Sequence, residues 1–223
     1  LAKPAGNGYH MWMEPAQACI FLLSPARCSG PRAGMLPQGT SELSRALREE
    51  GAALGDVFSF LSSLYFRGKA TYAEHFGAKG LSAPGALVIT PGHGLCRLGT
   101  RLLAADLAAI GRVEVDLANP LFVEPFVRDA ALLARSIPSQ TEVVLLGSVA
   151  TPKYVEPLLG IFGARLLFPR EFAGRGDMSR GGLLLRATRA GRELDYVALQ
   201  SAQRRGPRPP RLPRPGMRGG GSG

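Results

Sequence analysis

Residues 142–163 read EVVLLGSVATPKYVEPLLGIFG. The apolar run Val143–Leu146 stops at Gly147, too short for a helix and bounded like a buried strand. Thr151-Pro152 then opens a helix, with threonine at the N-cap and proline at the first helical position, where its missing N–H costs nothing. Gly163 ends that helix, and 164–168 (ARLLF) is the next strand. A strand, a helix and a strand in close succession set the class: a mostly parallel sheet with helices on both faces.

The same pattern extends outward. Residues 17–24 (QACIFLLS) form an apolar run ending in Ser24-Pro25 and read as a buried strand. Residues 86–90 (ALVIT), stopped by Pro91-Gly92, read as another, and 112–116 (RVEVD) alternate like a short one. The stretch 25–40, rich in Pro, Gly and Ser, reads as a loop. Helices are predicted over 41–50, with Ser41 as N-cap and Gly51 as stop, and over 57–76, capped by Asp56. Two more are predicted over 101–110 and 121–136. Residues 183–199 read as a hairpin of LLLRAT and ELDYVAL, turning through Arg189–Arg192 around Gly191. The expected fold is a three-layer α/β domain over 14–200, a mostly parallel sheet with a C-terminal antiparallel hairpin and no internal repeat.

The 223 residues are 45% hydrophobic and 20% charged, which is globular composition and enough chain for one sizeable core. No apolar run approaches the roughly 18 residues of a membrane span. Residues 1–13 read as an N-terminal extension, with Met11 or Met13 as possible starts. Ala18–Leu23 is short, and Glu14 precedes it where a signal peptide carries positive charge, so export is not expected. Cys19, Cys28 and Cys96 match no zinc spacing, and Cys19 reads as a small buried hydrophobe. The expected setting is reducing and cytoplasmic, with no metal and no cofactor.

The net charge of +10 is unevenly placed. Residues 201–223 hold six arginines and no acid, which leaves +4 for residues 1–200. This tail, ending in Gly and Ser, reads as extended and disordered, and its RxxPxxP spacing fits aromatic-groove binders or chance. A second cluster, Arg165 to Arg192, sets seven arginines against Glu171 and Asp177. Clustered arginine suits phosphate, so the partner class is nucleotide or nucleic acid; a base-composition bias toward arginine is the bland alternative.

Ligands of open α/β sheets bind outside the carboxyl ends of the strands. Three loops qualify: Ser24 to Arg27, Thr90 to Gly94, and Gly147 to Thr151. In the third, Ser148, Thr151 and Lys153 surround a helix N-terminus that favours an anion, or Thr151 merely caps the helix. His93, between two glycines, is the candidate for proton transfer, or an ordinary loop histidine. In Gly174–Gly182, read as a glycine-rich loop, Arg175, Asp177, Ser179 and Arg180 are candidates for phosphate or base-edge contact. Within FSFLSSLYFRGK (58–69), Phe58, Phe60, Leu61 and Leu64 read as core, Tyr65 and Arg67 as possible pocket residues, and Lys69 stays open between pocket and surface. There is no GxSxG, HExxH, Walker or GxGxxG motif, and no carboxylate pair.

An apolar strand running into a polar loop, then SSLYFRGKATYA, then the strand ending Thr90-Pro91-Gly92-His93-Gly94-Leu95 resembles small bacterial α/β domains related to YaaA-type peroxide-stress proteins. The resemblance covers about residues 17–185. It implies nucleotide- or nucleic-acid-related biology. The expected function is a nucleotide- or nucleoside-recognising domain acting on a glycosidic or phosphate-linked substrate, with His93 as acid/base and Arg175 and Arg180 as anion contacts. The alternative is a non-catalytic DNA- or RNA-binding protein using the arginine cluster and tail.

Overall fold

A computed structural model describes residues 19–62, 64–80 and 83–202. β1 (Cys19–Leu23) leads into α1 (Pro31–Met35), α2 (Glu42–Glu49), β2 (Ala52–Ala53), α3 (Leu54–Ser62) and α4 (Leu64–Phe76). β3 (Ala86–Thr90) and β4 (Gly94–Cys96) follow, then β5 (Arg101–Leu102), α5 (Ala104–Arg112) and α6 (Pro120–Ser136). β6 (Glu142–Leu146), α7 (Pro152–Phe162), β7 (Leu166–Pro169), α8 (Asp177–Ala190) and β8 (Tyr196–Ala198) complete the fold.

The main sheet runs β4-β3-β1-β6-β7-β8. β3, β1, β6 and β7 are parallel, and β4 and β8 close the two edges antiparallel. All five residues of β1 are buried, as a strand covered on both faces requires. The chain runs from β1 through α4 to β3, then through α6 to β6 and through α7 to β7; the right-handed rule for such crossovers assigns α4 to one face and α6 and α7 to the other. α8 packs on α4, and α6 packs on α7. The three-layer α/β fold predicted from sequence is present.

The α4–α8 contact is unusually close. A Cβ on Gly68 would stand 2.7 Å from the Gly181 carbonyl oxygen, and one on Gly181 would stand 2.7 Å from that of Leu64. Glycine costs a helix about 1 kcal/mol relative to alanine. Here it lets two helix backbones touch.

Several local expectations are corrected. Residues 183–188 belong to α8, so the antiparallel edge is β8 on β7, with Val197 opposite Phe168. Asp177 in the first turn and Gly191 in the left-handed conformation at the end define that helix. The glycine-rich loop therefore ends at Gly176. Residues 112–116 form no strand: α5 reaches Arg112 and irregular chain follows. The helix predicted over 57–76 is two helices, and Asp56 lies in the first turn of α3 rather than at its cap. Residues 25–40 contain α1, and 101–102 form β5 against β2. Pro91 to His93 form a tight turn into β4, which sequence did not suggest. Thr151 occupies the N-cap of α7, but its hydroxyl makes no capping bond. Ser41 does cap α2, accepting from the Ser44 N–H at 3.2 Å. The extension 1–13 and the tail beyond residue 202, with its RxxPxxP spacing, lie outside the described residues. No helix among the described residues is long and apolar enough to cross a membrane.

Candidate functional site

The chain leaves β1 toward β3, whereas it leaves β6 toward β7. The crevice between the carboxyl ends of β1 and β6 is therefore the point where strand order switches, the place where such sheets bind ligands. Ser24 sits there. Its N–H donates to the Leu146 carbonyl at 3.1 Å, carrying the β1–β6 pairing one residue past the strand. A Cβ on Gly147 would lie 2.9 Å from the Ser24 Cβ, so the glycine that ends β6 is what lets Ser24 pack against it.

Above this point opens a cleft of about 500 Å³. Arg27 reaches it from the loop after β1, Arg112 from the end of α5 and Lys153 from the first turn of α7. Glu114 is the acid in its lining, and Pro91 and Ile110 are among its apolar walls. Three cations against one acid, beside a helix N-terminus, suit an anionic group. Cys28 also lines the cleft, but burial pushes its thiol up to about 12, which keeps it protonated and unreactive at neutral pH.

A second cluster lies beneath the loop, on the α4–α8 face. Lys69 is 1% exposed. Its Nζ lies 2.5 Å from the Ser24 carbonyl oxygen and 2.9 Å from Ser24 Oγ. It also sits 4.5 Å from the Tyr65 ring centroid and 4.9 Å from that of Phe66. No carboxylate pairs with it among the described residues. Burial brings its ammonium down to about 7; Asp177 opposes that shift and Arg180 adds to it. Arg180 is buried as well, and its Nε and Nη2 donate to the Phe172 carbonyl at 3.2 and 3.0 Å. Its Nη1 lies 3.7 Å from Asp177 Oδ1. The Tyr65 hydroxyl is buried, with the Arg180 guanidinium facing its oxygen and no acceptor for its proton among the described residues. Burial pushes it well above the ordinary phenol range, with the Arg180 guanidinium pulling part of the way back.

The structure thus brings Ser24, Tyr65, Asp177 and Arg180 into one neighbourhood, and Arg27 and Lys153 into another. Arg175 Nη1 donates to Ser179 Oγ at 3.3 Å, in the first turn of α8. His93 is at the exposed tip of the β3–β4 turn, with Nδ1 3.2 Å from the Pro91 carbonyl oxygen. Ser148 is half-buried just past β6, while Thr151 and Arg67 are exposed. Arg112 and the buried state of Lys69 were missed by sequence reasoning. Arg112 hid in an apparent strand. For Lys69 a signal existed: positions 65, 69, 72 and 73 form one helical face, and the other three are Tyr, Tyr and Ala. No group of three or more potential metal ligands occurs among the described residues.

Compared with protein-family models, curated proteins and solved structures, the chain matches none of them.

Proposed function

We propose that the chain is a nucleotide- or nucleoside-recognising α/β domain whose cleft holds the ligand's phosphate through Arg27, Arg112 and Lys153. One observation carries this reading: three cations from three separate segments converge on one cleft at the switch point of the sheet. The volume is in the range of small-molecule sites. Pro91, Ile110 and the neighbouring valines offer apolar surface to a base or sugar. The YaaA-type resemblance supports the same ligand class. Turnover of a glycosidic or phosphate-linked substrate needs an acid–base group beside the cleft, and His93 on the adjoining turn is the residue to test. Three free cysteines among the described residues fit a reducing, cytoplasmic setting.

A second reading, non-catalytic DNA or RNA binding, is favoured by the exposed Arg170, Arg189 and Arg192 together with the six arginines of 201–223. Thermal shift of the full chain with mononucleotides, nucleosides and short oligonucleotides at two salt concentrations separates the two. The cleft predicts a salt-tolerant shift with a mononucleotide, lost in the Arg27→Ala/Arg112→Ala double variant. A shift with oligonucleotides alone, abolished by salt, replaces it with the second reading.

A further inference from the structure

Ser24 and Lys69 are a pair that the anion cleft does not use. The Lys69 amine has two polar partners, the carbonyl and the hydroxyl of the same serine. Lys69 Nζ donates to both, and the Ser24 hydroxyl in turn donates to the Leu146 carbonyl at 3.5 Å; rotation of that hydroxyl turns its proton onto Nζ once the amine is neutral. Ser24 stands at the carboxyl end of the central strand, two residues before Ala26 in the cleft wall. A third group lies in the same neighbourhood, the buried hydroxyl of Tyr65, whose ring packs on the Lys69 amine, whose oxygen faces the Arg180 guanidinium and whose proton has no acceptor among the described residues. A buried O–H without an acceptor is costly, and a ligand oxygen would satisfy it.

We propose that Ser24 and Lys69 are a nucleophile–base dyad for acyl transfer, acting on an ester or similarly activated carboxylic acyl compound, with the Tyr65 hydroxyl donating to the developing oxyanion. Ser24 Oγ bonds to the acyl carbon while its proton passes to Lys69 Nζ, and the carbonyl electron pair moves onto oxygen. Collapse of the tetrahedral intermediate re-forms the carbonyl and breaks the bond to the leaving alcohol, which takes the proton from Lys69. Water then attacks the acyl-serine, giving its proton to Lys69. Collapse expels Ser24 Oγ, which recovers that proton, and the acid is released. Burial supports the base role by bringing the amine down to about 7, so that about half of it is neutral at that pH and most of it by pH 8. The groups that face Lys69 are Tyr65 on its own helix, Asp177 and Arg180 on α8, and Ser24. A carbonyl substrate fits better than a phosphoryl one. The free donor is a single neutral hydroxyl, matched to one oxyanion, whereas the nearby Arg180 is engaged with Phe172 and Asp177. The proposal stands apart from the nucleotide reading, and either can fail without the other.

The test treats the full-length chain with an alkyl fluorophosphonate, in which Ser24 Oγ displaces fluoride from phosphorus, and maps the adduct by peptide mass spectrometry. One adduct on Ser24 is expected, absent from Ser24→Ala. The labelling rate should fall about tenfold between pH 8 and pH 6 as Lys69 takes up its proton. Lys69→Met and Tyr65→Phe should each slow labelling at least about tenfold while retaining a cooperative melt. The wild-type pH profile decides the base role even if Lys69→Met does not fold. No adduct on the folded protein, an adduct elsewhere, a rate flat with pH, or wild-type labelling in either folded variant overturns the proposal.

Discussion

Gly68 and Gly181 meet backbone to backbone, with the carbonyl oxygen of Gly181 only 2.7 Å from where a Gly68 Cβ would be. The atoms in the way are main chain, so neither helix can yield by a rotamer change. Gly181→Ala is predicted to cost about 1–3 kcal/mol through overpacking, despite its better helix propensity. Urea denaturation of the variant beside wild type measures it. A gain in stability would mean that α4 and α8 are free to separate.

Lys69 makes stability depend on pH in a defined direction. Its folded value is about 7, well below the 10.5 of a free lysine. Between these values the unfolded chain holds a proton that the folded chain lacks, so stability rises with pH, by at most about 1.4 kcal/mol per pH unit. Below about 7 both states are protonated and the burial penalty is fully present. Wild type should therefore gain on Lys69→Met as pH rises from 7 to 9. Parallel unfolding free energies for the two would show that Lys69 is hydrated in the folded state.

Two hydroxyls at helix starts should differ. Ser41 Oγ accepts from the Ser44 N–H and bonds Ser44 Oγ at 2.8 Å, whereas the Thr151 hydroxyl caps nothing. Ser41→Ala is predicted to cost about 1 kcal/mol, and Thr151→Ala less than about 0.5 kcal/mol. Chemical denaturation of both variants checks the contrast.

Arg112 is an exposed end-of-helix residue with no packing role in the core. Arg112→Glu should leave the melting temperature of the free protein unchanged and weaken mononucleotide binding by at least about tenfold. Isothermal titration measures it, and unaltered affinity would move the ligand out of the cleft.

The parallel strands were legible because uninterrupted apolar runs such as Ile20–Leu23 and Val143–Leu146 mean burial on two faces. The C-terminal helix was not. Leu183, Leu184 and Leu185 in a row look like a strand, and the true inner face (Arg180, Gly181, Leu184, Ala187) includes a charge and a glycine. Val113, Glu114 and Val115 all line the cleft in irregular chain, so their apolar–polar alternation imitates strand period without a strand. Sequence named Ser24, Tyr65, Arg27 and Lys153, but not which of them share a neighbourhood. Ser24 meets Lys69 across 45 positions, and only the β1–α4–β3 crossover fixes that meeting.

β1 is the first described element of the chain, yet it lies in the middle of the sheet, with Cys19 opposite Glu142. At synthesis rates of roughly 5–20 residues per second, the ribosome needs about 6–25 seconds to make the 123 positions that separate the two. For that interval an all-apolar strand waits with one long edge open. Folding yield should therefore respond to how fast residues 24–142 are translated, because β1 is completed only when β6 emerges.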